Sequence, residues 1–340
     1  MSGTDETSLN LFQQQELNRR RTVWLITGFV LFFAWLGFGG DLIYALYTAH
    51  APPPAQHHVW WFGILMCAVG AVVAAYAYQT GPEKVLWATD AQELGEPADD
   101  KQRQLVNVVE EMAIAAGVPR PRIWIVPDRD PNAFATGTDP RASHVAVTQG
   151  LLDLCNRDEL QAVIGHELGH IKNLDVRLMT MLAALVGAVL LMRDGTRYFL
   201  PGRSSADTRS RKGDLGPLVI VLIVLWLVSW ALAPIITQLL ALGVSRKREY
   251  LADAMGAQFT RNPLALASAL QKIEAADQPT THITGGTAHM CIADPLGRRV
   301  TAHEGFLADV LATHPPMNKR IAILKGMGYA QLKKESGIAS

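Results

Sequence analysis

His166-Glu167-Leu168-Gly169-His170 is the stretch on which the reading of this chain turns. Histidines four residues apart lie on one face of an α-helix, so both imidazoles can reach a single metal ion. A carboxylate directly after the first stands where it can take a proton from water. The flanks specify that helix. Asn156 fits an N-cap with Glu159 three residues on, and Leu160, Val163 and Ile164 recur at helical spacing. A chance match is the alternative, and the rest of the chain weighs against it.

Two histidines do not make a site. A zinc centre that does chemistry takes three protein ligands and leaves one position open, so a third donor is expected on another helix. Ser245 to Asp253 reads Ser-Arg-Lys-Arg-Glu-Tyr-Leu-Ala-Asp. Glu249 and Asp253 are again four apart. Glu249 is the expected third ligand, and Asp253 the carboxylate that accepts the second N–H of a ligating histidine and fixes its tautomer. Without the upstream motif the same residues would read as a solvated face whose acids balance Arg246, Lys247 and Arg248.

Of the 340 residues 49% are hydrophobic and only 18% charged, and the apolar ones are bunched. Val23 to Gly40 is uncharged and continues through Asp41 to Tyr47. Val59 to Tyr78 is a second run, with Trp60 and Trp61 at one end and Tyr76 and Tyr78 at the other. Both are long enough to cross ~30 Å of hydrocarbon, and the aromatics suit its interfaces. Leu215 to Val244 is a third run, and Leu178 to Met192 a fourth but short one, for which a buried core helix is a serious alternative. The first run is too long for a signal-peptide core and is expected to be a retained anchor. Cys67, Cys155 and Cys291 are scattered and suggest neither a disulfide framework nor a thiolate metal site. A formal net charge of zero gives no reason to expect a nucleic-acid partner.

Arg19, Arg20 and Arg21 precede the first run, whereas His50 to His58 holds three prolines and no Lys or Arg. The positive-inside rule puts the N-terminus in the cytoplasm and this connection outside. Two crossings return the chain to the cytoplasm at Gly81, with His166 and His170. Glu249 must join them, so the intervening chain crosses zero or two times. A hairpin that crosses, or nearly crosses, is slightly favoured, although it would place Arg193, Arg197, Arg203, Arg209, Arg211 and Lys212 outside.

Lys101 to Ala116 has Leu105, Val108, Val109 and Met112 on one face and Gly117 placed as C-cap. Ile123 to Val126, Asn132 to Gly137 and His144 to Val147 read as short strands. An edge strand there can take a peptide by main-chain hydrogen bonds, which makes Asn132, Ala133 and Phe134 candidate substrate contacts; a turn role for Asn132 is the alternative. Asp277 to Thr313 reads as a long irregular segment over the cleft, and its His282, His289 and His303 lack a partner at ligand spacing. His314 and Arg320 open a final helix, where they suit a developing oxyanion or, alternatively, a helix start and a surface charge.

These motifs together resemble the HtpX type of membrane-bound zinc metallopeptidase, in the gluzincin group. The resemblance rests on His166-Glu167-x-x-His170 with Asn173 and Asp175, Glu249-Tyr250-x-Ala252-Asp253, Asn132 to Ala135, and Thr313-His314-Pro315-Pro316 with Arg320-Ile321. It implies one zinc ion per chain held by His166, His170 and Glu249, Glu167 as general base, and His314 and Arg320 assisting the transition state. The expected fold is α+β and mainly helical: a multi-pass membrane protein with a cytoplasmic zinc protease domain. The expected segments are 1–80 (polar tail and two spans), 81–177 (sheet and first metal helix), 178–244 (apolar pair with a basic loop from Arg193 to Asp214) and 245–340 (third ligand and last helix). The expected reaction is hydrolysis of peptide bonds in polypeptides, with misfolded proteins of a bacterial inner membrane as the implied substrates and the lipid bilayer as partner. A CaaX-type prenyl endopeptidase is the alternative among enzymes, and a non-catalytic scaffold or holdase the alternative outside them. An intramembrane site is rejected, because Asp158, Glu159, Lys172, Asn173, Asp175 and Arg177 flank the motif and are costly at the bilayer centre.

Overall fold

The polar stretch before the first apolar run does not break from it. In the computed structural model, which describes residues 11–49, 60–199, 227, 246–276, 280–283, 287–293 and 315–335, one helix, α1, runs from Leu11–Thr48. Its 38 residues span about 57 Å at 1.5 Å per residue, far more than a bilayer core requires. The second helix, α2, Trp61–Ala88, likewise passes through Gly81 and Pro82 instead of ending there. Proline removes one helical hydrogen bond and bends the helix, which a long apolar segment tolerates.

The chain divides into two compact units. One comprises Val23–Tyr78 and Ala184–Leu239, the other Met1–Thr22, Gln79–Ala183 and Leu240–Ser340. In the first, α1 and α2 cross on small residues: a Cβ on Gly37 would lie 2.7 Å from Met66 Cβ and 2.8 Å from Gly63 Cα. Asp41, the one acid of the first apolar run, is buried and accepts the Gly63 N–H at 2.7 Å. It thereby satisfies one of the backbone donors orphaned in the first turn of α2. Both helices are long and apolar enough to cross a membrane, and only 22% of the residues in the most apolar stretch of each are buried. Trp24, Trp35, Trp61 and Leu65 stand among their exposed side chains.

The second unit carries the sheet. Its strands β1 (Gln92–Glu93), β2 (Arg122–Val126), β3 (Ala133–Gly137) and β4 (Ser143–Thr148) run in the order β1-β2-β4-β3. The central pair β2 and β4 is parallel, with Ile123 opposite Val145, and β3 lies antiparallel on β4 at the edge, with Phe134 opposite Ala146. Every residue of β3 and β4 is buried. Helix α3, Asp100–Ala116, is capped by Asp99, whose side chain accepts the Gln102 N–H, and ends at Gly117 with φ 67°. A short helix, α4 (Gln149–Leu154), leads to α5, Arg157–Lys172. Both halves of the capping box at Asn156 and Glu159 are formed. Leu105, Val109 and Met112 of α3 share one core with Val163, Ile164 and Leu168 of α5. Each such burial contributes about 1.5–3 kcal/mol.

Leu174, at φ 60°, breaks α5 from α6, Asp175–Phe199. A left-handed conformation is unusual for leucine and turns the chain sharply enough for Asp175 to face back toward the end of α5. Helix α6 carries the expected Leu178 to Met192 run within 25 residues, about 37 Å of helix. It also absorbs Arg193 and Arg197, the start of what the sequence suggests is a loop. The run from Leu215 to Val244 lies outside the described residues, Leu227 apart. Helices α7 (Arg246–Thr260), α8 (Pro263–Ala275) and α9 (Met317–Glu335) complete the unit.

Candidate metal centre

Helices α5 and α7 meet backbone to backbone because the residues between them are small. A Cβ on Gly165 would sit 3.4 Å from Gly256 Cα, one on Gly169 3.4 Å from Ala252 Cα, and one on Gly256 3.0 Å from the His166 nitrogen. This approach brings Glu249, on the first turn of α7, over the two imidazoles of α5. His166 Nε2 and His170 Nε2 are 3.2 Å apart, and Glu249 lies 3.8 Å from the first and 3.6 Å from the second. Ligand atoms about 2.0–2.2 Å from a tetrahedral zinc are about 3.3–3.5 Å from one another, so the triangle has the right size.

The far side of each ring fixes its tautomer. His166 Nδ1 is 2.9 Å from Asp253 Oδ1, and His170 Nδ1 is 3.2 Å from Asp175 Oδ2. Both carboxylates demand an N–H at Nδ1, which leaves two Nε2 lone pairs facing each other. Such a pair is stable only with a cation between or beside the rings, a metal ion or a proton. Burial alone would lower the pKa of His170, but the Asp175 hydrogen bond and the Glu249 and Asp175 charges overturn this and raise it to about 9. His166 moves the other way, because burial outweighs the pull of Asp253 and the neighbouring His170 and Arg320 oppose its protonation.

Glu167 is 1% exposed, and the group that reaches its carboxylate is the Ala135 backbone N–H of β3, not a side chain. Burial pushes its carboxyl up to about 8, against the pull of His170, with Glu249 adding to the rise. A carboxyl with that pKa both takes and gives a proton near neutral pH.

Asp253 stands against His166, and the unexpected group is the one behind it. Arg320 is fully buried and grips Asp253 with two parallel hydrogen bonds, Nε to Oδ2 at 2.8 Å and Nη2 to Oδ1 at 2.7 Å. Its Nη1 donates to the Ile292 carbonyl at 2.7 Å and lies 3.7 Å from Glu249 Oε2. The guanidinium is thus committed to the carboxylates behind the ligands, not offered to a substrate oxyanion, and it is no surface charge. Arg248 departs from the solvated alternative too: it is 1% exposed, with Nη1 3.7 Å from Asp175 Oδ1.

Asn132 is likewise occupied. Its Nδ2 donates to the Ala293 carbonyl at 2.8 Å and its Oδ1 accepts the Ala133 N–H at 3.1 Å, so it ties the 291–293 segment to β3 instead of facing a cleft. The Ile292 N–H takes the Ala133 carbonyl at 2.9 Å, and Phe134 bridges to Cys291, which covers this end of the edge strand. His282 pairs with Asp90 at 2.8 Å and His289 is buried beside the 288–290 turn. His303 and His314 lie outside the described residues. Asp175 and Asn18 are the site residues that sequence reasoning left without a role. Asp175 entered the sequence reading only as part of the motif that follows His170, with no role of its own.

The profile of Peptidase family M48 matches residues 99–328. This chain belongs to peptidase family M48. The Protease HtpX homolog of Caldanaerobacter subterraneus subsp. tengcongensis is 36% identical over 94% of this chain and 99% of its own length. That of Dictyoglomus thermophilum is 42% identical over 78% of this chain and 82% of its own. Among solved structures, the crystal structure of S. mikatae Ste24p aligns at 16% identity with a TM-score of 0.45, covering 93% of this chain and 67% of that one. The M48 peptidase described here is thus of the HtpX type, a membrane-bound metallopeptidase that hydrolyses polypeptides. The buried triangle of His166, His170 and Glu249 is a site of the kind such an enzyme needs.

Proposed function

We propose that this chain is a zinc-dependent endopeptidase of a bacterial inner membrane, with its site on the cytoplasmic side, that degrades misfolded membrane proteins. The observation that carries the reading is the pairing of three buried donors at ligand spacing with a buried carboxylate, Glu167, that no side chain neutralises by a hydrogen bond. His166, His170 and Glu249 hold the ion, and Asp253 and Asp175 fix the rings. Zinc, when bound, supplies a Lewis acid that polarises the scissile carbonyl and makes water acidic enough to react near neutral pH. Glu167 accepts the proton of the attacking water and delivers it to the leaving amine. Substrate backbone is held at the edge strand β3, by Asn132, Ala133 and Phe134, and His314 donates to the oxyanion. The proposed organisation is the one read from sequence: 1–80 a polar tail and two spans, 81–177 and 245–340 catalytic, and 178–244 an apolar helical pair with a basic loop.

The test is zinc content and casein proteolysis of purified wild type and Glu167→Gln. We expect about one zinc in both and a rate loss of roughly 10²–10⁴-fold in the variant. Undiminished proteolysis overturns the mechanism. Orientation is tested by reporters fused at Pro53 and Pro127, expected outside and in the cytoplasm respectively. An outside signal at Pro127 reverses the topology.

A further inference from the structure

The polar end of α1, before its apolar run, is built into the metal site. Gln15 Nε2 donates to the Lys172 carbonyl at 2.6 Å, at the C-terminal end of α5. One turn on, Asn18 is fully buried, and its Nδ2 donates to the Asn173 carbonyl at 3.0 Å and to Asp175 Oδ1 at 2.6 Å. Asp175 is itself fully buried and uses its other oxygen, Oδ2, to accept from His170 Nδ1 at 3.2 Å. The relay is therefore continuous: amide of α1, carboxylate of α6, imidazole of α5. Leu174, with its left-handed φ of 60°, leaves Asp175 on a sharp bend, where helix geometry alone does not settle the carboxylate's rotation.

We infer that Asn18 is a positioning residue for His170, acting through Asp175, so that the cytoplasmic end of the first membrane helix takes part in holding the metal. The inference rests on the metal-site reading proposed above. The chemistry of the donor matters. An amide N–H pins one carboxylate oxygen without neutralising it, so Asp175 keeps its negative charge for the histidine. A carboxylate free to turn would lose the alignment that fixes the Nδ1–H tautomer and points the Nε2 lone pair at the metal.

The experiment uses the full chain in detergent, with zinc affinity read by competition with a chromogenic chelator and ligand geometry by the visible spectrum of the cobalt-substituted protein. Asn18→Ala should weaken zinc about tenfold and shift the cobalt bands. Gln15→Ala, which removes a contact of the same helix that does not involve Asp175, should stay within about twofold of wild type. In an Asp175→Asn background, Asn18→Ala should add less than about twofold. Should Asn18→Ala fail to fold, Asn18→Asp keeps the shape while replacing the donor by an acceptor, and must show the same loss. Wild-type affinity in a folded Asn18 variant overturns the inference. An equal loss in Gln15→Ala, or an undiminished loss in the Asp175→Asn background, does so as well, because either marks simple helix docking. Absence of stoichiometric zinc in wild type is a separate result and defeats the metal reading itself.

Discussion

Asp253 and Asp175 perform the same task for His166 and His170, yet they stand in opposite company. Asp253 faces a guanidinium at two points of contact. Arg320 and His166 together outweigh burial and hold its pKa down to about 2. Asp175 faces a neutral amide at 2.6 Å, while its nearest arginine stays at 3.7 Å. The first carboxylate divides its charge between an arginine and a histidine; the second gives most of it to the histidine. His166 is accordingly disposed to stay neutral and His170 to carry a proton. Two histidines from one motif are thereby given unequal basicity by residues that lie far from it in sequence.

Removing the guanidinium is the most drastic way to break this contrast. Arg320→Ala leaves Asp253 buried without its main partner and should cost about 3–5 kcal/mol of stability. The same variant should weaken zinc roughly 10–100-fold. Thermal unfolding and chelator competition check both. A variant with wild-type stability and zinc content but a lowered kcat would return Arg320 to the oxyanion role that sequence suggested.

The unequal basicity also predicts a pH profile. With its folded pKa raised from 6.5 to about 9, protonated His170 stabilises the metal-free protein fully below about pH 6.5. That stability is lost as pH rises through about 9. Zinc must displace this proton, so its affinity should climb about tenfold per pH unit across that window and level off above it. Titrating zinc competition from pH 6 to 10 checks the slope. A flat profile would mean that the two histidines are alike.

The smallest effect sharpens the other half of the contrast, the closeness of α5 and α7. Gly256→Ala sets a methyl 3.0 Å from the His166 nitrogen and 3.2 Å from its Cα, which should cost about 1–3 kcal/mol. Gly326→Ala, on α9 with no atom within 4 Å of the new methyl, should instead stabilise by about 0.5–1 kcal/mol. Thermal unfolding of both variants decides whether the approach of the two helices is as tight as the geometry requires.

How much of this was open to sequence reading depends on where each residue's partners lie. Helix α5 was legible because its signals are local: the cap at Asn156, the apolar spacing and the paired histidines all fall within 15 residues. Glu249 was legible only beside that motif, since its basic neighbours imitate a solvated face. Arg320 was placed near the site but given the wrong surroundings. A lone arginine in the first turn of a helix carries no periodic signal of burial, and its partner is 67 positions away. Asn18 was invisible for the same reason at greater range, 157 positions from Asp175. The polar residues before the first apolar run read as a tail because polarity was taken for solvent exposure. In the fold they meet polar groups of α5 and α6 instead.

The division of the proposed ligand set between α5 and α7 has a further consequence for the making of the enzyme. His170 and Glu249 are separated by roughly 80 residues, which a ribosome adds in about 4–16 s. A nascent chain that has not reached Arg246 has both imidazoles but lacks Glu249, the proposed third ligand, and has neither Asp253 nor Arg320 behind them. The chain is born without a working blade. On the proposed ligand set it acquires one only after its long apolar stretch has been synthesised, so an arrested or truncated product is expected to be a fragment that cannot cut its neighbours.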